Sequence, residues 1–91
     1  MNDITKAVVS VVGKDRVGIL ASVAEACAKS NANVIEVTQS VMSDYFCMVM
    51  VIDISDSTKS VDQLQSSIID KVPDMSVYVM HEDIFNSMHR I

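Results

Sequence analysis

The fold is decided over residues 6–20, which read Lys-Ala-Val-Val-Ser-Val-Val-Gly-Lys-Asp-Arg-Val-Gly-Ile-Leu. Lys6 to Val12 is a short run rich in β-branched residues, and it predicts a buried strand that ends at Gly13. Asp15 then precedes a stretch with helical periodicity. We expect its carboxylate to cap that helix, because free N–H groups and a partial positive charge gather at a helix start.

An apolar stripe continues the predicted helix. It recurs at three- and four-residue spacing and consists of Leu20, Val23, Ala24 and Cys27. Asn31 and Asn33 are predicted to end the helix, since asparagine tolerates left-handed turns.

The stretch from Asn33 to Ser43 predicts a second strand with one buried face and one mixed face. The buried set is Ile35, Val37, Gln39 and Val41, and the opposite set is Glu36, Thr38, Ser40 and Met42. Ser43 and Asp44 are predicted to form a tight hairpin turn, because both residue types favour turns.

A long third strand is predicted from Tyr45 to Ile54, and it is apolar on both faces. One face carries Phe46, Met48, Met50, Ile52 and Ile54, and the other carries Tyr45, Cys47, Val49 and Val51. A strand of this kind is usually central in its sheet or covered by a partner.

The second half repeats the pattern of helix and strand. Ser60 and Gln63 have the spacing of a capping box at the start of a second helix, and Pro73 is predicted to stop it. Its apolar stripe is Val61, Leu64, Ile68 and Val72. A fourth strand is predicted from Ser76 to His81, and an amphipathic tail follows from Glu82 to Ile91.

This order predicts one domain over residues 1–91. The expected fold class is α+β, a ferredoxin-like βαββαβ sandwich with a four-stranded antiparallel sheet and two helices on one face. Two helices cover only one face of a four-stranded sheet, so the second apolar face of the third strand would be exposed to water. We therefore expect a homodimer, with Phe85 and Met88 of the tail helping to cover a sheet face of their own chain or of the partner.

The bulk composition excludes several classes of partner. The chain has 91 residues and a formal net charge of -5, which disfavours direct binding of nucleic acid or of an anionic membrane surface. No apolar run approaches the length of a membrane span, and residues 1–6 do not resemble a signal peptide. We expect a cytoplasmic protein in which Cys27 and Cys47 are buried, reduced thiols.

Catalytic and metal-binding patterns are weak. His81 and His89 flank Glu82 and Asp83, but their spacing is not that of a zinc site, and an exposed polar strand end explains them. The pair Gly13 and Gly18 lacks the residues of a dinucleotide or phosphate loop. We therefore expect no catalytic residue, no metal and no cofactor.

The turn from Gly13 to Gly18 suits a small ligand better. A helix start offers N–H groups to a carboxylate, Asp15 is suited to an ammonium group, and Gly18 permits close approach. An α-amino acid carries both groups. From the residues alone, an ordinary capped connection is the stronger interpretation.

Three features together resemble an ACT domain over Thr5 to His81. They are the βαββαβ order, the turn Gly-Lys-Asp-Arg-Val-Gly-Ile-Leu and the Asn-Ala-Asn-Val-Ile opening of the second strand. The short length and the ending Phe-Asn-Ser-Met-His-Arg-Ile resemble a family of small bacterial ACT-domain proteins. That family is similar to the regulator of the glycine cleavage system, which carries two such domains.

The resemblance implies a regulatory dimer that binds an amino acid between domains, near the first loop and the second strand. The residues it indicates are Asp15, Arg16, Val17, Gly18, Ile19 and Leu20 on the loop and helix start, with Asn31, Asn33, Val34 and Ile35 as the facing wall. Val17 departs from the proline that many family turns carry. We expect no attached enzyme domain, so the resemblance also implies an unknown regulated protein. The alternative is an interaction module that binds no ligand.

Overall fold

The computed structural model of the chain describes residues 4–88, which fold into four strands and three helices. In chain order these are β1 (Lys6–Lys14), α1 (Ile19–Lys29), β2 (Asn33–Met42), β3 (Tyr45–Asp53), α2 (Val61–Lys71), β4 (Ser76–His81) and α3 (Glu82–Met88). The strands form one antiparallel sheet in the order β2-β3-β1-β4. The predicted ferredoxin-like sandwich is confirmed.

The hydrophobic core lies between the sheet and the first two helices. Strand β3 is internal, as its two apolar faces predict, and it presents Phe46, Met48, Met50 and Ile52 to the core. Helix α1 contributes Ile19, Val23, Ala26 and Cys27, and α2 contributes Leu64 and Ile68. The predicted apolar stripe of α1 is wrong at its first position. Leu20 is 37% exposed, and Ile19 is buried in its place.

Strand β2 departs most from its prediction. No residue of this strand is buried, so the expected buried face is wrong. The strand lies at the sheet edge, where α1 covers only its first residues. Val34 pairs with Ile52 and Glu36 pairs with Val51, so Ile35 is the extra residue of a β-bulge. Val34, not Ile35, therefore packs against the core at this end of the strand.

The ends of the elements follow local backbone chemistry. Strand β1 continues through Gly13 to Lys14, one residue beyond the predicted stop. Helix α1 ends before Asn31, whose positive φ of 59° makes the turn, whereas Asn33 already begins β2. Ser60 and Gln63 form the predicted capping box at the start of α2.

The second face of the sheet, turned away from α1 and α2, is called the outer face below. Helix α3 packs against β1 and β4 there, and Val8 is almost completely buried. The tail thus contacts its own chain, and the structure describes it as far as Met88. Cys47 lies on this face and is half-buried, which corrects the expectation of two buried thiols. Among residues 4–88, no helix is long and apolar enough to cross a membrane.

Candidate functional site

The turn between β1 and α1 is shaped by Gly18. Gly18 is the N-cap of α1 and has a φ of 90°, a left-handed conformation that suits glycine. No side chain caps this helix, so the prediction that Asp15 does so is wrong. The first N–H groups of α1 have no carbonyl partner in their own helix, because a helix start always leaves such groups over. This end of α1 is therefore open to an external acceptor.

Two contacts anchor the turn to distant parts of the chain. The backbone N–H of Asp15 donates to the carbonyl oxygen of Asp44 in the β2–β3 hairpin over 2.8 Å. The Arg16 guanidinium donates to both carboxylate oxygens of Asp74, with Nε–Oδ2 at 2.7 Å and Nη2–Oδ1 at 2.9 Å. The hydrogen bond from Arg16 lowers the pKa of Asp74. Arg16, which the resemblance indicates as a ligand-binding residue, is thus engaged within the chain by Asp74.

The loop between α2 and β4 packs closely against Gly13 at the start of the same turn. A Cβ atom added at Gly13 would lie 2.5 Å from Sδ of Met75 and 3.3 Å from the carbonyl oxygen of Asp74. Gly13 is therefore required for packing rather than for a ligand. Sequence reasoning missed Asp44, Asp74 and Met75, because no local pattern joins positions that lie so far apart in the chain.

The turn carries an almost fully exposed apolar side chain beside its charged residues. Val17 is 96% exposed, and Leu20 is 37% exposed at the start of α1. A Cβ atom at Gly18 would meet nothing within 4 Å, so the space in front of the helix start is open. Ile19 is buried in the core and supports the turn from inside. The exposed residues of the predicted loop set are thus Asp15, Arg16, Val17, Gly18 and Leu20, and Arg16 among them is paired with Asp74.

The predicted facing wall lies at the other end of α1. The helix has 11 residues and is therefore about 16 Å long. Asn33 pairs with Asp53, which pairs with Lys6, whereas the turn follows Lys14 at the opposite end of the sheet. The facing wall, Asn31, Asn33, Val34 and Ile35, therefore does not meet the loop set within one chain.

The wall itself is held in place by hydrogen bonds. The side-chain amide of Asn31 donates to the carbonyl oxygen of Asp56 over 3.0 Å. The carbonyl oxygen of buried Ser30 accepts from the N–H of Thr58 over 2.9 Å. The start of β2 is therefore positioned by the loop before α2, and Asn33 and Ile35 remain exposed beside it.

Groups suited to catalysis are sparse. Burial raises the pKa of the Cys27 thiol to about 11, which keeps it protonated and a poor nucleophile. His81, Glu82 and Asp83 line a cleft of about 210 Å³ with Lys6, and His89 lies outside the described residues. Within residues 4–88, no three His, Cys, Asp or Glu side chains are grouped to hold a metal ion.

Comparison with known proteins identifies the family of the chain. The family model described as ACT domain matches residues 5–81. This chain belongs to the ACT-domain family. It is 44% identical over 87 residues to a UPF0237 protein of Clostridium perfringens, covering 93% of this chain and 98% of that protein. Similar UPF0237 proteins also occur in archaea, so the resemblance extends beyond bacteria.

Solved structures give the same fold. An ACT domain protein from Streptococcus pneumoniae superposes with a TM-score of 0.76 and 28% identity, covering 96% of this chain and all of that chain. A structure described as a putative glycine cleavage system transcriptional repressor has a TM-score of 0.72 and 20% identity, covering 88% of this chain and 47% of that one. At that identity the second likeness concerns the fold alone.

Proposed function

We propose that this ACT domain is a non-catalytic regulator that binds an amino acid between two copies of the chain and signals to a partner protein. The observation that carries the proposal is the separation of the two halves of the candidate site. The loop set and the facing wall lie about 16 Å apart in one chain. A second copy is the simplest means of joining them.

The exposed edge of β2 suits such a pairing. Within residues 4–88, no strand pairs with the far side of β2. The strand has ten residues and Glu36 is its one charged side chain, although protected edges usually carry several charges or a proline. Antiparallel pairing of two β2 edges about a two-fold axis places the start of each strand beside the end of the other.

That pairing would assemble a composite site at each end of the joined strands. The end of β2 leads into the hairpin that holds Asp15. Asn33 and Ile35 of one copy would therefore face Val17 and Gly18 of the other. In this proposal the open start of α1 receives the carboxylate, and Asp15 receives the ammonium group. Arg16 is bound to Asp74 and positions the loop instead.

Thermal denaturation in the presence of each of the twenty amino acids tests the proposal. A true ligand at about 100 times its Kd should add roughly 2.7 kcal/mol of stability. For a domain of this size that is a rise in Tm of at least about 10 °C. If no amino acid shifts the Tm at millimolar concentration, amino-acid binding is refuted.

A matched pair of variants locates the site. Val17→Glu places a carboxylate in the proposed pocket, and we expect it to abolish the ligand-induced shift. Ile69→Glu makes the same kind of change at a 37% exposed position of α2 and should preserve the shift. Equal loss of the shift in both variants would contradict a site at the turn.

A ligand-free interaction module remains the second candidate function. The exposed apolar side chains on the β2 edge and on the outer face favour it, because such patches mark contacts between proteins. In that case Val17→Glu would leave the binding of the partner protein unchanged. A cytoplasmic location is part of the main proposal, and the free thiols of Cys27 and Cys47 support it.

A further inference from the structure

The outer face of the sheet has the composition of an interface. Its charged residues, Lys6, Lys14, Asp53 and Glu36, lie at strand ends or on the edge strand. The centre holds uncharged side chains only, among them Val12, Cys47, Val49 and Tyr78. A central region without charge and a charged rim are typical of protein–protein contacts.

This face is also stepped. Helix α3 covers the β1 and β4 side and forms a ridge, defined here by Phe85 and Met88. Beside it lies a recess, defined by Val12, Tyr45, Val49 and Tyr78, whose side chains are 38–60% exposed. A cavity of about 380 Å³ between Ser10, Val49 and the ridge deepens the step. A ridge beside a recess is the arrangement that a two-fold contact between identical surfaces requires.

We propose that the outer face binds a second copy of the chain, so that the ridge of each copy fills the recess of the other. A two-fold contact of this kind buries the same surface on both copies and closes on itself. Met88, which is 63% exposed, would then lie against Val49 or Tyr78 of the partner copy. The contact is independent of the pairing through β2 in the proposed function.

The net charge of the chain favours a second copy as the partner on the outer face. Each chain carries a formal net charge of -5, so two copies repel one another unless they meet through surface that holds few charges. The centre of the outer face is such a surface. A basic partner protein would instead be attracted to acidic surface, which the centre of this face does not offer.

The available area is sufficient for a stable contact. Three strands about 30 Å long and β4, about 20 Å long, spaced about 4.8 Å apart, give a footprint on the order of 530 Å² per copy. The two copies together reach about 1,060 Å², just above the roughly 1,000 Å² that a specific protein–protein interface needs. Helix α3 covers the β1 and β4 side of the face, and its own exposed side chains take the place of the strand surface beneath it.

Light scattering coupled to size-exclusion chromatography tests the proposal on the full chain. Val49→Glu buries a carboxylate in the recess, so we expect self-association to weaken about a hundredfold or more and the molar mass to fall by about half. Ile69→Glu is the matched control, because Ile69 is 37% exposed and Val49 is 38% exposed. The control should keep the molar mass of the wild-type chain.

A second variant guards against misfolding of the first. Met88→Lys changes an exposed ridge position and should reduce the molar mass in the same way, with an unchanged circular dichroism spectrum. An unchanged mass for both folded variants would overturn the proposal and leave this face to a different protein. A monomeric wild-type chain would overturn it as well.

The amino-acid assay separates this proposal from the proposed function. Val49→Glu should retain the ligand-induced Tm shift, because the recess lies on the face opposite to α1. Val37→Lys, which charges the β2 edge, should lose that shift and keep the contact through the outer face. Loss of the shift in Val49→Glu would contradict the independence of the two contacts.

Discussion

The two core helices begin in opposite ways. At the start of α2, the hydroxyl oxygen of Ser60 accepts from the N–H of Gln63 over 3.2 Å, and Oε1 of Gln63 accepts from the N–H of Ser60 over 2.9 Å. Asp62 adds a negative charge in the first turn. At the start of α1, Gly18 has a positive φ, no side chain caps the helix, and the first turn has no acidic residue.

The capped start of α2 stabilises the fold, whereas the uncapped start of α1 leaves N–H donors for a ligand. A complete capping box satisfies free N–H groups within the chain and leaves them unavailable to a ligand. The start of α1 keeps these donors and lies beside the almost fully exposed Val17. Its position is fixed by contacts outside the helix, at Asp44, Asp74 and Met75. A rigid turn with free donors is what binding of a small anionic group requires.

The largest effect is expected from a substitution that disrupts the packing beneath the α1 turn, at Gly13. Gly13→Val introduces a branched side chain where Met75 and the backbone of Asp74 leave no room. We expect a loss of about 3 kcal/mol in the free energy of unfolding, because overpacking displaces a buried methionine from the core. Urea denaturation measures the loss. Gly13→Ala should cost less, and equal stability of Gly13→Val and the wild type would refute the close approach.

The next effect concerns the backbone of the helix start itself. Gly18→Val forces a β-branched residue into a left-handed conformation, and we expect a cost of about 1–2 kcal/mol. Gly18→Asn is the matched control, since asparagine tolerates this conformation and the space around Gly18 is open. The midpoint of urea denaturation should fall clearly for valine and slightly for asparagine. Identical midpoints would show that the positive φ is not required.

The sequence predicts the fold well because its apolar periodicities are local. The two-sided strand β3 and the capping box of α2 can be recognised from neighbouring residues, and both are confirmed. The burial of strand β2 could not be predicted in this way. Its alternation is regular in sequence, but its burial depends on how far α1 extends over the edge of the sheet. That distance is a tertiary property.

The candidate site is predictable in its position along the chain and not in its contacts. Gly18 marks a positive φ, and the turn lies where a strand meets a helix. No residue near Arg16 in the sequence indicates its partner, because Asp74 lies 58 positions away. The separation of Gly18 from Asn33 depends on the antiparallel register, which local pattern does not encode.

A smaller effect sharpens the comparison of the helix starts directly. Ser60→Ala removes the cap of α2, and we expect a loss of about 1 kcal/mol. Asp15→Ala is the counterpart at α1 and should leave the free energy of unfolding unchanged, because Asp15 caps nothing. Differential scanning calorimetry of both variants provides the comparison. If Asp15→Ala lost as much free energy of unfolding as Ser60→Ala, Asp15 would cap α1 after all, which contradicts the structure.

The smallest effect concerns the ion pair that anchors the α1 turn. The hydrogen bond from Arg16 lowers the pKa of Asp74, so the folded state favours the ionised carboxylate. The stability this adds is fully present above the ordinary Asp pKa of about 3.9 and is lost as the pH falls through the lower folded pKa. Both side chains are partly exposed, so the effect is small and weakened by salt.

Asp74→Asn separates this pair from the rest of the acid response. We expect the variant to be slightly less stable than the wild type at neutral pH and equally stable in strong acid, as measured by urea denaturation across the pH range. High salt should reduce the difference, because the pair is accessible to solvent. A difference that persists in acid would mean that Asp74 stabilises the turn through packing. In that case the open start of α1 would be held by the approach of Met75 to Gly13 rather than by charge.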